Sequence, residues 1–228
     1  MAWIPFPILV ASVALLLQAE HHTPRDVGQV KVWKPLATLS VIGACALSLL
    51  QPGRDTGYAL WILVGLGLSL AGDVLLIFQE NPKAFLAGLV VFLLAHVAYL
   101  LAFARIQLMS GATPGGSGEI VVAAVLALIG MVVYRLMRPG LRKLRWPVIF
   151  YMAVISVMVH RAFAVSVLYP SRSTQPALIL AGAMLFYLSD AILGINKFRF
   201  GGQLRHGKLA NLLTYYAGQW LLALSASL

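Results

Sequence analysis

Acidic residues are scarce in this chain: seven Asp and Glu stand against seventeen Lys and Arg over 228 residues, and charged side chains make up only 11%. A soluble domain carries roughly 25%. The shortage, beside 61% hydrophobic residues, excludes a separate soluble domain and points to one integral membrane domain over residues 1–228. Cysteine is nearly absent as well. Cys45 stands alone in an apolar run, which excludes an intramolecular disulfide and a thiolate metal site. No Gly-x-Ser-x-Gly elbow supports a nucleophilic serine. His21, His22 and His206 lack the helical two-histidine spacing of a zinc site. The Gly115-Gly-Ser-Gly118 run follows no strand, so it is no nucleotide loop. The net charge of +10 falls in loops, where orientation and lipid phosphates account for it without nucleic acid.

What the chain has in quantity is apolar length. The runs 3–19, 36–50, 57–78, 84–104, 119–137, 146–169, 176–196 and 209–227 predict an all-α bundle of about eight transmembrane helices, since barrel strands would alternate over about 10 residues. The first run lacks a basic flank and a small-x-small cleavage site, so it is expected to be a retained span. Gln51-Pro-Gly-Arg-Asp55 and Gly111–Gly118 carry turn and linker chemistry. Arg54, Arg105 and Arg172 are the only cations after spans two, four and six, whereas the loops after the odd spans hold the rest, counting Arg135 at the end of span five with its loop and leaving out Arg161. The positive-inside rule places those odd loops in the cytoplasm and both termini outside, in a bacterial inner (plasma) membrane. A shift of 117 residues lays Gly65 on Gly182 and Asp73 on Asp190, and one of 112 lays Pro35 on Pro147. This is the mark expected of two parallel four-helix halves.

Two of the acids, Asp73 and Asp190, lie inside apolar spans. A carboxylate there costs about 2.5 to 3.5 kcal/mol, so it is expected to face a protein interior or a wet cavity. Counting 1.5 Å per residue places them roughly 8 and 9 Å from the cytoplasmic face. Tyr151, Tyr215 and Tyr216 fall near that level, Gln219 and His96 deeper with Tyr99 beyond, and Lys34 at the inner mouth. The structural alternatives are an ion pair of an aspartate with Arg161 or Lys34, helix-to-helix hydrogen bonding by His96, and a place in the aromatic belt. The belt reading suits Tyr58, Tyr134 and Tyr169 best and competes evenly with the site for Tyr187, Tyr215 and Tyr216. Ser69 and Ser189 read as small residues at helix contacts, and the basic run Arg138–Arg145 as a loop that sets orientation.

Lys34-Pro35, Ser69-Leu-Ala-Gly-Asp73, Phe92-Leu-Leu-Ala-His96-Val-Ala-Tyr99, Gly182-Ala-Met-Leu-Phe-Tyr-Leu-Ser-Asp190, Asn196-Lys-Phe198 and Tyr215-Tyr-Ala-Gly-Gln219 together resemble the YhhN/TMEM86 family of lysoplasmalogenases. The resemblance covers nearly the whole chain in order. It implies hydrolysis of the vinyl ether bond of a lysoplasmalogen within the bilayer, giving a fatty aldehyde and glycerophosphocholine or glycerophosphoethanolamine. It also implies about eight spans, no metal or organic cofactor, and Asp73 with Asp190 as the catalytic pair. The motif residues Asn196, Tyr99 and Tyr187 join Lys34, Tyr151, Tyr215, Tyr216 and Gln219 as candidates for substrate contact, with His96 beside the pair.

The chemistry suits two carboxyl groups. Vinyl ether hydrolysis starts with protonation of the alkene carbon, which a carboxylic acid in a low-dielectric pocket can supply. A second carboxylate can stabilise the cation and deprotonate the attacking water. Lys34 is placed to meet the phosphate. Both acids must then face one hollow. The competing classes are a proton-coupled transporter or channel using the same acids and histidine, a metal-dependent amidase of the ceramidase type, and a lipid-sensing scaffold.

Overall fold

Side-chain oxygens start three of the helices in the computed structural model, which describes residues 3–21, 25–111, 116–168 and 174–228. Asp26 accepts from the backbone of Gln29, Asp55 from that of Tyr58 and Asn81 from that of Lys83, each filling a donor that a first helical turn leaves open. They open α2 (Val27–Ser48), α3 (Thr56–Ile77) and α4 (Pro82–Ser110). With α1 (Phe6–His21), α5 (Ser117–Leu141), α6 (Arg145–Leu168), α7 (Thr174–Phe200) and α8 (Gly207–Ser225), the described residues form eight α-helices and no strand. His22, Tyr169, Arg172 and positions 112–115 of the expected linker lie outside the described residues.

Five helical stretches are long and apolar enough to cross a membrane: α2, α3, α4, α7 and residues 117–168, where α5 and α6 fold against each other. At 16 residues, α1 is a shorter apolar helix, and α8 is not among the five. Leu60, Trp61, Val64, Val121 and Leu128 are exposed, while Thr38, Ser69, Asp73, His96, Ser189 and Gln219 are buried. Lipid selects for that inversion, because apolar surroundings take apolar side chains and polar groups must find partners inside.

Glycine sets how closely the main helix pairs approach. A Cβ on Gly65 of α3 would stand 2.3 Å from the Tyr99 ring of α4, and one on Gly182 of α7 would stand 3.0 Å from the Gly218 carbonyl of α8. Small residues thus let α3 pack on α4 and α7 on α8. Across the bundle, α2 meets α8 as α6 meets α4. The match to two parallel four-helix halves is partial, for α5 meets α7 where α1 does not meet α3 among the described residues, and α1 meets α8 where α5 does not meet α4.

Three local expectations need correcting. The second helix starts well before the expected run 36–50: α2 begins at Val27, and Pro35 lies inside it. The added turns hold Gln29, Lys31, Trp33 and Lys34, too polar to register as an apolar run. Proline's missing N–H weakens the helix there, and the neighbouring Lys34 carbonyl accepts the Tyr216 hydroxyl at 3.1 Å. The basic run 138–145 is no open loop either, for α5 continues to Leu141 and a 3₁₀ turn, Arg142–Leu144, leads directly into α6. Tyr58 is not in a lipid-facing belt; it is buried, with its hydroxyl 2.6 Å from the Ser225 hydroxyl.

Candidate functional site

A cavity of about 260 Å³ opens at the end of the bundle where α1, α3 and α7 finish and α2 and α8 begin. Asp73 and Asp190 both form its wall, with Lys34, Phe92, Asn196 and Tyr215. The two acids do face one hollow.

Asp73, fully buried on α3, is surrounded by donors. Thr38 on α2 donates its hydroxyl to Oδ2 at 2.5 Å, Tyr215 on α8 donates to the same oxygen at 2.7 Å, and the Lys34 ammonium lies 3.3 Å from Oδ1. Gln219, one turn further along α8, donates to the Tyr215 hydroxyl at 2.8 Å and fixes it. Two hydroxyls and a cation are the set a carboxylate takes when it must stay buried. Of the two ion pairs weighed from the sequence, the one with Lys34 forms. Arg161 lies instead with His160 in a lateral groove between α5 and α6 that contains neither aspartate.

Asp190 on α7 is held more sparely. The Tyr151 hydroxyl of α6 donates to Oδ2, and His96 Nε2 of α4 stands 3.5 Å from the same oxygen. Among the described residues no Lys or Arg lies within ion-pair distance of Asp190. His96 is fully buried, and the Phe92 backbone one turn earlier on α4 is the hydrogen-bonding group beside its ring. Its ring packs edge-on against Tyr151 and Phe186, at 5.4 and 4.9 Å between centres, which holds its orientation. Next to Asp190, Asn211 on α8 donates to the Ser189 carbonyl and hydroxyl, both at 2.9 Å, locking α7 to α8 at that level.

A second, apolar cavity of about 50 Å³ shares Phe92, Asp190 and Leu193 with the first. Leu89 of α4, Met137 of α5, Ile155 of α6 and Tyr187 of α7 continue its wall. Asp190 therefore stands where a polar chamber gives way to an apolar one.

The remaining sequence candidates divide. Asn196 lines the polar cavity, and its side chain accepts from the Leu204 backbone at 2.9 Å, shaping the turn from α7 to α8. Tyr187 lines the apolar cavity. Tyr216 binds the Lys34 carbonyl, and Tyr99 is buried with its hydroxyl 3.4 Å from Ser69, so neither reaches the cavity wall. Sequence reasoning passed over Thr38, which looks like any small residue in an apolar helix. It also passed over Arg25, Lys208 and Glu20, which ring the cavity but read as loop charge, and Lys197 entered only within the Asn196-Lys-Phe198 match, with no role. Among the described residues no group of three His, Cys, Asp or Glu is gathered to hold a metal ion.

The YhhN family model matches residues 29–226. The chain is 30% identical to Lysoplasmalogenase TMEM86B of Rattus norvegicus, over 98% of this chain and 83% of that protein. Lysoplasmalogenase of Mycobacterium tuberculosis is 32% identical over 73% of this chain and 60% of its own. A lysoplasmalogenase homolog of Dictyostelium discoideum is 25% identical over 98% and 76%. No solved structure matches.

Proposed function

The chain belongs to the YhhN family, and we propose that it is a membrane-embedded lysoplasmalogenase. It cleaves the vinyl ether bond of a 1-alkenyl-glycerophospholipid, such as the choline or ethanolamine form, to a fatty aldehyde and the glycerophosphodiester. The observation that carries the reading is the position of Asp190 at the junction of the two cavities, with Asp73 in the wall of the polar one. A lysolipid has the same division, and its vinyl ether lies where headgroup and chain join.

Asp190, which no ammonium neutralises, is assigned as the acid. It gives its proton to the outer alkene carbon, leaving an oxocarbenium ion whose charge the new carboxylate faces. Asp73 takes a proton from water as the water's oxygen bonds to the cationic carbon, and a neutral hemiacetal forms. Asp73 then returns that proton to the departing glycerol oxygen while Asp190 takes the hemiacetal hydroxyl proton. The C–O bond breaks, aldehyde and alcohol leave, and both acids are restored with one water consumed. General acid–base help of this kind contributes about 10² to 10⁴ in rate. Lys34, Thr38 and Tyr215 hold Asp73, while Tyr151 and His96 aim Asp190. The positive-inside rule puts the cavity mouth on the cytoplasmic side of the bacterial inner membrane.

The test is aldehyde release by detergent-purified protein, given lysoplasmalogen and, separately, the saturated lyso-ether lipid. Cleavage of the first alone is the expected result; cleavage of both or of neither ends this reading.

A further inference from the structure

The sequence alone assigns the substrate phosphate to Lys34, but in the structure that ammonium sits 3.3 Å from Asp73. Four cations line the polar cavity: Arg25, Lys34, Lys197 and Lys208. Arg25 and Lys208 share Glu20, the latter at 3.1 Å. Lys197 alone among them has no carboxylate within ion-pair distance among the described residues. It is nevertheless held in place. Its Nζ donates to the Gln79 carbonyl at 2.9 Å and stands 5.1 Å from the centre of the Phe85 ring. An ammonium has three hydrogens, so two remain for an anion.

The spacing on α7 fits a particular one. Lys197 is seven residues beyond Asp190, which places it on nearly the same helix face and roughly 10 Å further along the axis. In a lysoplasmalogen, seven bonds separate the alkene carbon that receives the proton from the phosphorus. At about 3.5 Å for three extended bonds, they span roughly 8 Å, and a charge-assisted hydrogen bond supplies about 3 Å more. Gly201 and Gly202, both at positive φ, also line this part of the cavity and bring no side chain into it. We propose that Lys197 is the anchor for the substrate phosphodiester, within reach of it when the vinyl ether meets Asp190. This assignment rests on the lysoplasmalogenase reading.

The test compares Lys197→Gln and Lys197→Arg on lysoplasmalogen and on 1-alkenylglycerol, which has the same vinyl ether and no phosphate. Lys197→Gln is expected to raise KM for the phospholipid about tenfold with kcat within about twofold, the pattern of lost uniform binding, and to leave the alkenylglycerol unchanged. Lys197→Arg keeps most of the affinity. An equal loss on both substrates, or no loss on the phospholipid, overturns the proposal. Calorimetric binding of the uncleavable saturated lyso-ether phospholipid, with monoalkylglycerol as control, keeps the two readings apart. If no substrate is cleaved, the hydrolase reading falls. The anchor still stands if Lys197→Gln weakens only the phosphate-bearing lipid, and it falls if both lipids bind the variant as they bind the parent protein.

Discussion

Asp73 draws one hydroxyl from Thr38 on α2 and another from Tyr215 on α8, whereas Asp190 draws a hydroxyl from Tyr151 on α6 and stands beside His96 on α4. Each aspartate thus takes one partner from the second helix of its own half and one from the last helix of the other half. Thr38 and Tyr151 even lie about one turn beyond matching prolines, Pro35 and Pro147. The likeness stops at the residue before the proline. In the first half it is Lys34, whose ammonium faces Asp73. In the second it is Trp146, which is 79% exposed and far from serving as a counter-ion. One lysine therefore separates a neutralised carboxylate from one facing the cavity without a cation. Similar settings thus hold two acids in two different states, and on the proposed reading that difference separates their tasks.

The largest test of that contrast is Asp190→Asn. It removes the proposed proton donor without stranding any charge, so aldehyde release should fall by about 10³ or more while the thermal midpoint in detergent stays close to that of the parent protein. Asp73→Asn should cut the rate comparably, by about 10² or more, and in addition destabilise the fold. It leaves the largely buried Lys34 ammonium unpaired, and breaking such a pair costs about 3 to 5 kcal/mol. The double variant Lys34→Met with Asp73→Asn should recover most of that stability and none of the activity. If instead Asp190→Asn proves the more destabilising of the two single changes, the assignment of a structural charge pair to Asp73 alone is wrong.

Much of this contrast was legible in the sequence. Counting residues along each span set Asp73, Asp190, Tyr151 and Tyr215 at one depth, because helical rise is constant and lipid forces buried acids inward. The 117-residue offset also matched Gly65 with Gly182, and both prove to be points of close helix approach. What stayed hidden depended on rotation about the helix axis and on contacts between chain-distant segments. Tyr99, almost one turn beyond His96, lies along Gly65 of α3 and stays off the cavity wall. Thr38 carries no pattern that marks it as a ligand. The run through Pro139 and Gly140 reads as loop, but α5 passes so close to α7 there that a Cβ on Gly140 would stand 1.9 Å from the Phe198 carbonyl oxygen. That glycine serves packing, not a turn. Lys197 and Lys208 were counted as orientation charge because nothing in one dimension shows which loop cations fold over a cavity.

The smallest effects sharpen the comparison most, because they touch the hydroxyls that the two halves have in common. Tyr151→Phe keeps the ring against His96 and deletes the single hydrogen bond to Asp190, leaving the carboxyl with only the imidazole at 3.5 Å. A hydrogen bond to a charged or ionising group is worth about 1.5 to 3 kcal/mol, so kcat should drop by at least about tenfold. Thr38→Val is nearly the same shape and deletes one of three donors to Asp73. Tyr215 and Lys34 still hold that carboxylate, so the loss should be about threefold, since the surviving partners recover part of a bond worth about 1.5 kcal/mol. Steady-state aldehyde release by both variants, at saturating substrate, gives the order directly. Were Thr38→Val the more damaging change, Asp73 would be the less well supported acid despite its three donors, and the division of labour drawn from Lys34 would have to be reversed.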